Sequence, residues 1–193
     1  MNNKSLLIPV LVLVLSIHGC ASNSVLVGTT INPDSTGLIQ PTLDTIPTAS
    51  TPPGTSQSNP IPIGSDVIAD NMRFAISGAI RPADGIVSSG DMFNAQPGAY
   101  QQFIFVTLTV VCVTPSDQQC HLSIFKMKLS GSESLVKYPE RLISGVDGIL
   151  MSTDFNGGTT ISGHIPFIIP IGASHLVLVY ESLSGSSYYL ALP

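Results

Sequence analysis

The stretch Tyr100-Gln101-Gln102-Phe103-Ile104-Phe105-Val106-Thr107-Leu108-Thr109-Val110-Val111-Cys112 decides how this chain is read. Ile104, Val106, Leu108, Val110 and Cys112 fall on every second position, the spacing of a strand with one face turned to a core. Their alternates Phe103, Phe105, Thr107, Thr109 and Val111 are aromatic or β-branched, residue types that suit a half-buried sheet surface. Working outward, Met72, Phe74, Ile76 and Ile80 form a second alternating file, with Arg73, Ser77 and Arg81 opposite. Further runs of the same kind cover 122–129, 159–165, 176–181 and 188–192. Gly, Pro, Ser and Asn separate them, and no segment carries a convincing helical period. The class is therefore all-β, an antiparallel sandwich. Two connections, 82–98 and 136–158, are too long for plain turns, so each is expected to hold a small helical turn or a functional loop.

Several segments carry a resemblance. Asn59-Pro60-Ile61-Pro62-Ile63-Gly64 opens the domain, the strand above occupies its middle, and Phe125-Lys126-Met127-Lys128-Leu129 precedes a Ser130-Gly131 turn. Gly163-His164-Ile165-Pro166-Phe167-Ile168-Ile169-Pro170, Leu176-Val177-Leu178-Val179-Tyr180-Glu181 and Tyr189-Leu190-Ala191-Leu192 close it. In this order they resemble a bacterial family of lipid-anchored immunoglobulin-like domains of unknown function. That family is grouped with a secreted mycobacterial immunoprotective antigen and with telokin-like sandwiches. The resemblance covers 59–193 and implies an immunoglobulin-like sandwich. The family has no agreed catalytic residues, so none is carried over. The two long connections depart from its pattern.

Cys112 and Cys120 flank a short loop containing Pro115 and Asp117. If that loop closes an antiparallel hairpin, the two thiols face each other within disulfide reach. The alternative is two buried free thiols; a redox pair would need C-x-x-C spacing. The apolar phase slips between Ile124 and Phe125, so a bulge is expected there. His121, His164 and His175 form no ligand-spaced cluster, and Asp154-Phe155-Asn156-Gly157-Gly158 lacks the acidic residue that would complete a calcium loop. No metal or cofactor is expected. Neither G-x-S-x-G nor a phosphate-cradling Gly-Lys-Thr occurs, and paired carboxylates for glycoside cleavage are not evident, so the chain reads as no enzyme. What remains is surface. Tyr100, Phe103 and Phe105 on one sheet face, and Tyr188 and Tyr189 on a late strand, are the candidate partner residues. More often such residues cover the second sheet of a sandwich, and both readings stand here. The apolar 167–171 segment is a further loop candidate.

The N-terminus supplies the address. Met1-Asn2-Asn3-Lys4, the apolar residues 6–15 and Ser16-Ile17-His18-Gly19-Cys20 read as a secretory leader over 1–19. Ile17, Gly19 and Cys20 resemble the lipobox of bacterial lipoproteins, which implies a diacylated Cys20 as the new N-terminus. Residues 20–58 are rich in Ser, Thr and Pro and hold only Asp34 and Asp44 as charges. Such a segment buries too little apolar area to order itself, so it reads as a disordered tether, reaching about 100 Å if extended. Over 193 residues Lys+Arg number 7 against Asp+Glu 12, a formal net charge of −5. With no basic cluster in the sequence, nucleic acid is not an expected partner. The expected protein is an exported envelope lipoprotein, facing outside the cytoplasm. Its sandwich would bind a protein or glycan; a passive spacer is the alternative, and a small-molecule carrier or hydrolase a lesser one.

Overall fold

The computed structural model describes residues 51–193. The leader 1–19, Cys20 and the tether up to residue 50 lie outside the described residues. In chain order the elements are β1 (Asp66–Ala69), β2 (Met72–Ile80), α1 (Asp84–Gly90), β3 (Gln101–Cys112), β4 (Gln119–Leu122) and a 3-10 turn (Ile124–Lys126). There follow β5 (Met127–Ser130), β6 (Val136–Lys137), β7 (Thr153–Asn156), β8 (Thr160–Pro170), β9 (Val177–Glu181) and β10 (Ser187–Ala191). One four-stranded sheet runs β1-β2-β3-β8 and a second β10-β9-β5-β6, while β4 and β7 pair by themselves. Every strand pairing is antiparallel. This is the immunoglobulin-like sandwich the periodicity and the resemblance call for.

The core lies between the two sheets. Met72, Phe74, Ile76, Ile104, Val106, Leu108 and Val110 of the first meet Met127, Leu129, Leu178, Tyr180 and Leu190 of the second, all buried. The Phe74 and Tyr180 rings pack across the gap with centroids 4.4 Å apart. A bulge at Ser77 shifts the register between Ile76 and Gly78, so Ile80 pairs with Phe105 rather than keeping the inward phase of Ile76. Ile80 therefore leaves the core file in which its spacing placed it.

Asp70 and Asn71 close the β1–β2 hairpin at φ 50° and 62°. Two consecutive positive φ values are what a two-residue turn of the primed type needs, and Asp and Asn tolerate them. The turn also joins the sheets. The buried Tyr180 hydroxyl donates to Asp70 Oδ2 at 2.7 Å, and the Leu183 N–H donates to the same carboxylate at 2.9 Å. Burial and the Asp70 carboxylate both raise the Tyr180 phenol's pKa. Asp70→Ala leaves that hydroxyl without its partner and is expected to cost about 1–3 kcal/mol in urea unfolding. An unchanged midpoint would mean that water replaces the carboxylate.

Three features differ from the sequence reading. Cys112 and Cys120 are joined (Cα–Cα 5.7 Å), but not through a hairpin, because β4 pairs with β7 and β3 pairs with β2 and β8. The 136–158 connection supplies that partner strand, which its mixed composition does not advertise. Residues 51–58, assigned to the tether, are folded as a strap along β10. The Tyr189 N–H donates to Gly54 O, the Ile61 N–H to Tyr189 O and the Ala191 N–H to Ile61 O, at 2.9, 2.7 and 2.9 Å. An edge strand has backbone groups to satisfy, and the strap satisfies those of β10. The phase slip after Ile124 is there as expected, as the 3-10 turn.

Candidate functional site

On the outward face of the first sheet, Phe103 and Phe105 could be partner residues or covered by packing, and the structure shows them covered, by α1 and the 143–149 segment and not by a second sheet. Phe103 and Phe105 do point away from the main core, yet both are 0% exposed. α1 and the 143–149 segment cover them: Ala83 and Val87 join them in a second buried cluster, with Ile143, Val146, Ile149 and Ile168 packed around it. The two long connections thus form a lid on this face, and hydrophobic burial alone gives them reason to stay. A buried amide staples them together. Asn94 Nδ2 donates to Val87 O and Ser144 O, both at 2.9 Å, while the Ser144 N–H donates to Asn94 Oδ1 at 2.8 Å. Beside it Ser144 Oγ donates to Asp91 Oδ2 at 2.6 Å. That hydroxyl and the Phe93 amide hold the Asp91 carboxyl below the usual carboxylate range. Its contribution is therefore present above the unfolded-state pKa and lost as pH falls through the folded one.

Between α1 and the 145–147 segment is a cleft of about 260 Å³ whose lining includes Ser89, Asp147 and His164. Those are the residue types of a hydrolytic triad, but they are not arranged as one. His164 Nδ1 pairs with Thr107 Oγ1 at 3.0 Å and its ring stacks on Phe105, while Ser89 Oγ donates to Ile86 O at 3.0 Å. His121 Nδ1 meets Asp154 Oδ1 at 2.6 Å across the exposed β4–β7 pair. Among the described residues no three His, Cys, Asp or Glu side chains gather as a metal site.

The one exposed candidate, Tyr100, lies elsewhere, at the end of the sandwich where β8 hands over to β9. Tyr100 is 85% exposed, and its carbonyl accepts from the Ile171 N–H at 3.0 Å. The 171–176 loop is clamped from beneath. Arg81 Nη1 donates to Ala173 O at 2.8 Å and Nη2 to Ile171 O at 2.6 Å. From the other side the Ser132 N–H donates to Ser174 O at 3.0 Å. His175 is held at φ 50°, in the left-handed region.

Three clefts surround this loop. The largest, about 650 Å³, lies between it and the strap, and is lined by Gln57, Ser58, Pro60, His175, Leu176, Val177 and Ala191. A second, about 400 Å³, includes Arg81, Ile104 and His175 in its lining. A third, about 480 Å³, lies toward Ser132, Glu133 and Leu135. Tyr189 stands two positions before Ala191, on the same side of β10, and is half-buried; Tyr188 points inward and packs partly against the core. Phe167 and Ile169 of the apolar 167–171 segment are core residues, leaving Ile171 as its exposed member.

The sequence reading named Tyr100 and Tyr189, neither of which lines a cleft, and did not single out Arg81 as the clamp or His175 as a lining residue. The signal available was only Gly172-Ala173-Ser174-His175 between two apolar strands. Nothing in it reveals an Arg from β2, far away in sequence, reaching the loop.

No protein-family model matches this chain, and no curated protein matches it. Solved structures do. The yjhA protein of Bacillus subtilis is 14% identical at a TM-score of 0.49, over 69% of this chain and 99% of that one. The ycdA protein of the same species, a candidate lipoprotein, is 13% identical at 0.49, over 66% of this chain and 38% of that one. The secreted protein MPT63 of Mycobacterium tuberculosis is 15% identical at 0.47, over 68% and 97%. Each is a distant likeness, and no residue role passes from them to this chain.

Proposed function

We propose that this chain is an exported lipoprotein, acylated at Cys20, whose immunoglobulin-like sandwich serves recognition of a protein or glycan in the cell envelope and is not an enzyme. The observation that carries the recognition role is the β8–β9 end. Exposed Ile171 and His175 stand there on a loop held in place by Arg81 and Ser132, with exposed Tyr100 hydrogen-bonded to Ile171 beside it and His175 lining two of the three clefts. A loop fixed before it meets its ligand loses less entropy on binding. The anchor rests on Cys20 at the end of the leader. Each acyl CH₂ buried in a bilayer contributes about 0.8 kcal/mol, so a diacylated cysteine holds without a membrane-spanning helix. Among the described residues no helix is long and apolar enough to cross a membrane.

Two measurements test this. Cys20→Ser is expected to move the protein from the membrane fraction into the soluble one; unchanged fractionation removes the lipid anchor from the proposal. Crosslinking of the anchored protein on intact cells, followed by mass spectrometry, is expected to recover a reproducible partner that is lost when the sandwich is deleted. Recovery of abundant neighbours alone would instead make the domain a passive spacer.

A further inference from the structure

We propose that the cleft between the strap and the 171–176 loop binds a neutral, hydroxyl-rich chain, an oligosaccharide in chemical class; this rests on the recognition role above and narrows its ligand. Val177 and Ala191 face each other across the β9–β10 ladder and form a small, apolar floor. Gln57, Ser58 and Pro60 make one wall, His175 and Leu176 the other. His175 is the sole ionisable side chain in that lining; Arg81 and Glu133 belong to the neighbouring clefts. An ammonium group entering here would lose hydration without meeting a carboxylate, and an anion would meet no guanidinium or ammonium group. A sugar ring needs none. Its C–H face lies on the apolar floor and its hydroxyls exchange hydrogen bonds with an amide, a hydroxyl and an imidazole at the rim. The cleft's size falls within the range of small-ligand sites.

Both walls are built in advance. Ser130 Oγ donates to Gln57 Oε1 at 2.9 Å, and no described residue takes up the Gln57 Nε2 donors. The strap closes on itself through the Gly54 N–H to Asn59 O at 2.7 Å and Asn59 Nδ2 to Thr51 O at 2.8 Å. Gly54 sits at φ +86°, where a Cβ would meet the Ile61 side chain at 2.5 Å, so the strap's fold is specified by residue type. Residues that read as the end of a tether thus form half of the site.

The test uses the full chain carrying Cys20→Ser, labelled with ¹⁵N and titrated with chitotetraose, with maltotetraose and with an acidic control, tetragalacturonate. At least one neutral tetrasaccharide is expected to give saturable amide shifts at Gln57, Ser58, His175, Leu176, Val177 and Ala191, with a dissociation constant of about 1 mM or tighter. The acidic control is expected to give none. Ala191→Tyr fills the floor and is expected to abolish the shifts. His175→Gly suits the left-handed backbone, so it is expected to keep the thermal midpoint while weakening binding at least about fivefold. No saturable shift with either neutral sugar overturns the proposal. So do equal binding of the acidic control and shifts centred on the exposed Met92, Phe93 and Leu142. A protein partner crosslinked on cells away from this cleft, with no sugar bound, overturns the site and leaves the recognition role standing. Silence in both experiments overturns both.

Discussion

Phe105→Ala is expected to lower the unfolding free energy by about 3–5 kcal/mol, the cost of deleting a buried phenyl ring. That is a large fraction of the 5–15 kcal/mol at which domains of this kind stand. Phe105 is 0% exposed and shares its cluster with Phe103, Ala83 and Val87. It also carries the His164 ring, 5.7 Å away between centroids. The substitution empties the space under the lid, so α1 and the 143–149 segment are expected to lose amide protection along with global stability. Urea unfolding and hydrogen exchange measure the two effects. If Phe105 were an exposed contact residue, the stability change would stay within about 0.5 kcal/mol and a binding partner would be lost instead. The two readings of this face therefore predict opposite pairs of results.

Removing the disulfide is the second large effect. The bond closes a loop of sequence separation 8, which limits the entropy it takes from the unfolded chain and sets an expected loss of about 2–3 kcal/mol. Its placement makes the loss uneven. The β4–β7 pair belongs to neither four-stranded sheet, and Cys120 joins it covalently to the end of β3. In Cys112→Ala/Cys120→Ala, the amides of β4 and β7 are expected to exchange first and the central β2–β3–β8 ladder last. Equal denaturation midpoints with and without reductant would contradict this, as would alkylation of free thiols on the native chain. Export into an oxidising compartment is consistent with a bond of this kind.

Phe103 and Phe105 show where alternation stops being informative. Period two separates the faces of a strand, and it separated them correctly here: Ile104 and Val106 point into the main core, Phe103 and Phe105 away from it. It carries no information about what lies over the second face. That depends on where 82–98 and 136–158 come to rest. The residues holding them, Asn94 and Ser144, are polar and unremarkable in sequence, and each acquires its role only when the other is within hydrogen-bond distance. The strap is a similar case. Ser, Thr and Pro content argues for a disordered chain, and that holds for a segment taken alone. Beside the unsatisfied edge of β10, the same residues gain backbone hydrogen bonds, and Ile61 just beyond them is buried.

Spacing along the chain is enough to read the all-β class, the core files other than Ile80 and the phase slip at Ile124, and it brings Cys112 and Cys120 within reach of each other while leaving their bond open. Those follow from spacing along a strand or a short loop, and local geometry enforces spacing. Only in the folded chain does β4 pair with β7, is the aromatic face of the first sheet covered, and do Arg81, His175 and the strap meet around one set of clefts. Those depend on contacts between residues far apart in the chain. Their energies come from burial and hydrogen bonding at the meeting point, which neither partner displays on its own.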